Sequence, residues 1–126
     1  AEALSNLACS AIYLGRVDES RSFVRESLGL CAELSFTIGA AYCLEACAAI
    51  LVRTGRPREA ARLLGASQRV FDEVSATLDP VAQRMREETH AAIHDALGAD
   101  EAVALIASSE GLSLEEAVDY ALASLD

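Results

Sequence analysis

The sequence predicts an all-α fold, an α-α superhelix of antiparallel helix pairs with about seven helices, and three observations carry that reading. First, two stretches repeat forty residues apart: Leu4, Leu7 and Ala8 leading to Gly15-Arg16, and Leu44, Cys47 and Ala48 leading to Gly55-Arg56. At the same offset Ala1 matches Ala41, Glu19 matches Glu59 and Ser27 matches Ser67. A fixed period of this length marks a helical repeat array, because one helix pair cannot bury its own apolar face. Second, the chain is 52% apolar with only three Phe, three Tyr and no Trp, so alanine and leucine supply most of the apolar content. These residues favour closely packed helices. Third, seven glycines and two prolines are too few for the many turns of an all-β chain.

The elements follow in order. Residues 1 to 14 carry apolar side chains at 4, 7, 8, 11, 12 and 14, the spacing of an amphipathic helix. Gly15 ends it, and Asp18 is placed to cap a second helix that runs to about Leu34 with Phe23, Val24, Leu28 and Cys31 inward. Ser35 to Gly39 reads as the connection to the second repeat. Residues 40 to 53 repeat the first helix, with Leu44, Cys47, Ala48 and Leu51 inward. Thr54-Gly55-Arg56-Pro57 is a turn, with proline in the first turn of a helix that reaches about Val74 through Ala60, Leu63, Leu64, Val70 and Phe71. Asp79-Pro80 reads as an N-cap and first helical position. The long helix after it places Val81, Met85, Ala92, Ile93, Ala96 and Leu97 on one stripe and stops at Gly98. Asp100 opens a shorter helix through Val103 and Ile106 that ends near Gly111. Ser113 and Glu116 then form a capping box for a last helix presenting Leu114, Val118, Ala121, Leu122 and Leu125. That apolar stripe predicts that the helix docks on the preceding pair and closes the array. No segment is Pro-rich, Ser-rich or of low complexity, so the 126 residues read as one domain.

Twenty acidic against ten basic residues give a net charge of -10. A chain this acidic is repelled by phosphate backbones, which argues against direct nucleic-acid binding. No apolar run reaches the ~18 residues of a membrane span, and no basic amphipathic helix suggests a membrane surface. The chain opens inside a helix, with neither an initiator Met nor a signal-peptide pattern, and reads as part of a longer protein. Cys9, Cys31, Cys43 and Cys47 all fall in apolar helical stretches and read as small buried hydrophobes. Without a Cys-x-x-Cys pair, neither a zinc ribbon nor a thioredoxin-type site is indicated. Reduced thiols in a helical protein point to the cytoplasm.

Candidate chemistry is sparse. His90 and His94 stand one turn apart with Glu87 one turn before, a spacing that could share a divalent metal, yet no motif supplies a third ligand. Glu87-Glu88 and Glu115-Glu116 are adjacent helical residues about 100 degrees apart, so neither pair shares a face as a catalytic dyad must. Ser108-Ser109 has no nearby base or elbow glycines and reads as a helix end. Arg53, Arg56, Arg58 and Arg62 form the one basic cluster, either a solvated face balancing nearby acids or a landing site for an acidic partner. No phosphate-binding loop and no basic recognition helix is present. The expectation is therefore a non-enzyme without cofactor or metal.

The first repeat, AEALSNLACSAIYLGRVDESRSFVRESL, resembles a tetratricopeptide repeat. Ala8 and Gly15 stand where that motif places small residues, Ser20 and Ser27 where alanine is usual, and the period of forty exceeds the usual ~34. The segments RPREAARLLGASQRVFDEV, DPVAQRMREETHAAIHDALG and GLSLEEAVDYAL together resemble the carboxy-terminal helical region of bacterial multidomain transcription regulators. Those proteins join a signal-transduction NTPase module to helical repeats and commonly to a LuxR-type helix-turn-helix. The resemblance implies a scaffold for a protein partner, an effector or other domains of the parent chain. Its concave surface would carry Asn6, Ser10 and Tyr13, with Glu45, Ala49 and Arg53 at or near the corresponding places of the second repeat. The alternatives are a structural oligomerisation arm that forms a homodimer, or the same repeats attached to a nucleotide cyclase or another signalling ATPase.

Overall fold

The computed structural model describes residues 17–33, 37–74 and 80–125. They form six α-helices and one 3-10 turn, with no strand among the described residues. In order these are α1 (Val17–Glu33), α2 (Thr37–Arg53), α3 (Pro57–Glu73), α4 (Pro80–Leu97), α5 (Ala99–Ser108), the 3-10 turn Ser109–Gly111, and α6 (Leu114–Leu125). The expected first helix, Gly15, Cys9 and Asp79 lie outside the described residues.

The forty-residue period survives as structure. α1 and α3 are related by that offset, for Ser20, Val24, Ser27 and Cys31 are buried as are Ala60, Leu64, Ser67 and Phe71. Asp18 is not a cap but a first-turn residue of α1, where its charge meets the positive end of the helix dipole. Thr37 to Gly39, expected as connection, is the first turn of α2. The expected turn at Gly55 is present. Gly55 has φ +81, the Arg56 amide donates back to the Leu51 carbonyl at 2.8 Å, and Pro57 opens α3. This is a glycine-capped C-terminus that fixes the two helices antiparallel.

α2 is the centre of the fold. Twelve of its seventeen residues are buried, among them every position from Cys43 to Leu51. An all-round apolar helix of this kind must be covered on every side. Here α1, α3, α4 and α6 cover it. α3 is the second hub, touching α2, α4, α5, the 3-10 turn and α6. Gly65 permits the approach of α5. A Cβ there would press on the Ile106 carbonyl oxygen and lie 3.0 Å from the Ser109 Cβ, so the α3–α5 contact depends on a missing side chain. Gly65→Ala is expected to lower stability by about 1–3 kcal/mol, since extra bulk in a packed contact must move backbone. A denaturant midpoint equal to that of the parent chain would show that α5 gives way freely.

One expected stripe is corrected. On α4 the buried residues are Ala82, Met85, Thr89 and Ile93, whereas Val81 is 50% exposed and Ala96 is also exposed. On α5 the inward residue is Ala102, and Val103 faces solvent. On α4 apolar identity misled, because a small or hydroxyl side chain is what fits where helices lie close. The last helix docks as expected but elsewhere. Val118, Ala121 and Leu125 are buried, yet α6 packs on α1, α2 and α3 rather than on the α4–α5 pair before it. A strict solenoid confines contacts to neighbouring repeats. This chain returns its last helix to its first described one.

Candidate functional site

α6 begins where the sequence predicts. The Ser113 hydroxyl accepts from the Glu116 amide at 3.1 Å, and the Glu116 carboxylate accepts from the Ser113 amide at 3.0 Å. The hydrogen bond from the Ser113 backbone amide, with that of its side chain, holds the Glu116 carboxyl below its ordinary range. Three arginines of the α2–α3 turn and α3 then fasten α6. Arg56 donates to the Ser124 carbonyl, Arg62 donates to the Tyr120 hydroxyl at 3.0 Å, and Arg69 donates to the Leu112 carbonyl. Arg58 pairs instead with Glu101 of α5 at 2.8 Å, and Arg53 lies 3.9 Å from Glu88 of α4. The basic cluster therefore ties this chain to itself.

The docked α6 leaves an open groove of about 510 Å³ against the end of α1 and the start of α2. Cys31 and Ala32 come from α1, Thr37 and Ala40 from α2, and Leu114, Glu115, Val118 and Asp119 from α6. Leu114 and Val118, one turn apart, give the floor its apolar character with Cys31 and Ala40. Glu115 and Asp119, also one turn apart, stand exposed on the rim. Such an arrangement is suited to an apolar body that carries positive charge. Residues some eighty positions apart build it, so no local spacing announces it.

The proposed surface positions fare differently. Asn6, Ser10 and Tyr13 lie outside the described residues. Arg53 is exposed. Glu45 and Ala49 are buried and line no open surface, because α4 and its neighbours cover the face of α2 that carries them. Glu45 instead forms an internal ion pair. Arg86 of α4 donates through its Nε to Glu45 Oε1 at 2.9 Å and also through a terminal nitrogen, and the Ser67 hydroxyl of α3 donates to the same oxygen at 2.7 Å. Arg86 also donates to the Gln68 side chain, and its guanidinium lies 5.7 Å from the centre of the Phe71 ring. One cluster thus joins α2, α3 and α4.

The His90 and His94 rings lie with their centres 6.0 Å apart on α4, tilted 38° to each other. Among the described residues no group of three His, Cys, Asp or Glu side chains is placed to hold a metal ion. Burial, with the neighbouring His94 and Arg86, pushes the His90 imidazole below its ordinary value of 6.5. A base in that state takes its proton more readily in the unfolded chain. The stability it carries is complete above the unfolded value and is lost as pH falls from there toward the folded one. Stability is therefore expected to drop as pH falls through about 6.5, the ordinary value. His90→Gln should flatten that part of the profile. An identical pH profile for the variant would assign the effect to other groups.

No described helix is long and apolar enough to cross a membrane. No protein-family model, no curated protein and no solved structure matches the chain.

Proposed function

We propose that this chain is a non-catalytic, tetratricopeptide-like helical-repeat module of a bacterial transcription regulator of the signal-transduction NTPase or LuxR type, working in the cytoplasm. It binds a protein or an effector, and the groove between α1, α2 and α6 is where it does so. The observation that supports this reading is the groove itself, with its apolar floor of Cys31, Ala40, Leu114 and Val118 beneath the acidic rim of Glu115 and Asp119. A cation at such a rim gains on the order of 1 kcal/mol per close charge at a solvated surface, while the apolar part gains from desolvation.

The test is a thermal-shift screen of amphipathic amines and short peptides in which leucine alternates with arginine. At least one is expected to raise the melting temperature, since a ligand held only by the folded state must stabilise it. The gain should vanish in Glu115→Lys/Asp119→Lys, two exposed changes that leave the floor intact. A panel without effect, or one acting equally on the variant, would sink the reading. The oligomerisation arm is a second reading, favoured by Leu30, Ile38, Val74 and Val81, which flank the α1–α2 and α3–α4 connections at one end of the antiparallel array and are exposed. Light scattering that gives the mass of a single chain at high concentration would remove it.

A further inference from the structure

His90 and His94 are the two histidines of the chain, and both stand within α4. Positions four apart on a helix differ by about 40 degrees around its axis and about 6 Å along it, so both side chains leave the helix in nearly the same direction. The neighbouring residues fix that direction. Thr89 and Ile93, each one position earlier, are 1% and 0% exposed and anchor α4 in the core. α4 packs on α2, α3 and α5, so three helices set its rotation. The histidines thus sit at the margin of its buried face, partly exposed. Arg86, one turn before His90, has its charge engaged by Glu45 and its remaining donor by Gln68. Glu87 and Asp95 stand exposed on the same helix. Neither histidine lines the groove of α1, α2 and α6.

We propose that His90 and His94 together bind one divalent transition ion of the zinc and nickel class, with water in its remaining positions. A zinc–nitrogen bond of about 2.0–2.1 Å puts the centre of a ligating ring about 3.2 Å from the ion, so two such rings have centres up to about 6.4 Å apart. The observed 6.0 Å lies within that reach. A tetrahedral angle at the ion brings the centres to about 5.2 Å, a closure that a small turn of two partly exposed side chains supplies. Imidazole nitrogen suits zinc, nickel and copper, whereas magnesium and calcium take oxygen. Because the helix already holds both rings, the second bond is intramolecular, and the pair binds more tightly than either ring alone. The net charge of -10 adds a general attraction for a divalent cation. Two protein ligands are one fewer than His-Glu-x-x-His sites supply, so the ion is exchangeable and no motif announces it. The site does not depend on what the groove binds.

The test titrates the isotope-labelled native chain with zinc chloride, follows the imidazole nitrogens by NMR and measures the heat of binding by calorimetry. With two histidines in the sequence, every ring signal belongs to the pair, and zinc taken up by thiols or carboxylates elsewhere leaves those signals alone. Both rings are expected to respond together along one saturation curve. His90→Gln and His94→Gln, each checked for an unchanged circular dichroism spectrum, should leave the remaining ring binding at least about tenfold more weakly. The double variant supplies the calorimetric background, above which nickel should bind the parent chain as zinc does. Magnesium at the same concentration should leave both rings unmoved. The titration of the parent chain needs no variant, so it decides even if a substitution disturbs α4. Rings that stay unmoved, rings that saturate at separate zinc concentrations, a single variant that binds as tightly as the parent, or an equal response to magnesium would each overturn the proposal.

Discussion

Arg86→Met is expected to lower folding stability by about 3–5 kcal/mol. The Glu45 side chain is 6% exposed and that of Arg86 12%, so neither charge has water to fall back on. Glu45 Oε1 takes the guanidinium and the Ser67 hydroxyl, while Glu45 Oε2 is buried without a partner. Removing the arginine leaves a carboxylate in a nearly closed apolar setting with one hydroxyl donor, and it must either stay charged at high cost or take up a proton. Methionine keeps most of the volume, so the loss reports the charge rather than a cavity. The decisive comparison is the double variant Glu45→Met/Arg86→Met. Replacing both members of a buried pair with apolar groups is often neutral, so most of the loss should return. Urea denaturation at constant slope measures all three. If Arg86→Met costs under about 1 kcal/mol, the pair is solvated and belongs with the surface pairs.

That pair also marks the limit of what the sequence discloses. In TIGAAYCLEACAAILVR a single acid stands in the middle of an otherwise apolar helix. Read as a repeat position it belongs to a concave surface; read as part of an all-round apolar helix it is a buried charge that must find a counter-charge. The second reading was available, because nothing in the segment offers a polar face for Glu45 to share. What the segment cannot say is which arginine answers it, since Arg86 lies 41 positions away on another helix. Elements with local causes were legible: the Gly55 turn, Pro57 and Pro80 at helix starts, Gly98 with φ +86 after α4, and the capping box at Ser113. So was the forty-residue period. Features set by how helices meet were not. Thr89 inward and Val81 outward on α4 follow from the partner surfaces, and so does the groove, where Val118 meets Ala40 only because α6 returns to the start of the fold.

The return of α6 yields the largest expected effect of all. Deleting residues 112 to 126 should abolish cooperative unfolding and leave a chain that aggregates. α6 buries Ala117, Val118, Ala121 and Leu125 against α1, α2 and α3, and its loss uncovers Cys47 and the Ala41–Val70–Phe71 cluster, on which Leu114 packs. Each large apolar side chain returned to water costs about 1.5–3 kcal/mol, and both sides of the contact are exposed together. Val118 and Leu125 on α6, with Val70 and Phe71 in the cluster beneath Leu114, make four such side chains, which reach the order of the whole ~5–15 kcal/mol that holds a domain folded. The deletion also strips Arg56, Arg62 and Arg69 of their partners on Ser124, Tyr120 and Leu112. A graded form of the test is Leu125→Ala, for which about 2–5 kcal/mol is expected, because the side chain is buried at the far end of α6 from its cap. Calorimetry and light scattering on both variants decide the matter. A truncated chain that melts at the parent temperature and remains monodisperse would make α6 a connector toward a further domain. A Leu125→Ala variant as stable as the parent would mean that the end of α6 contributes nothing to the closure.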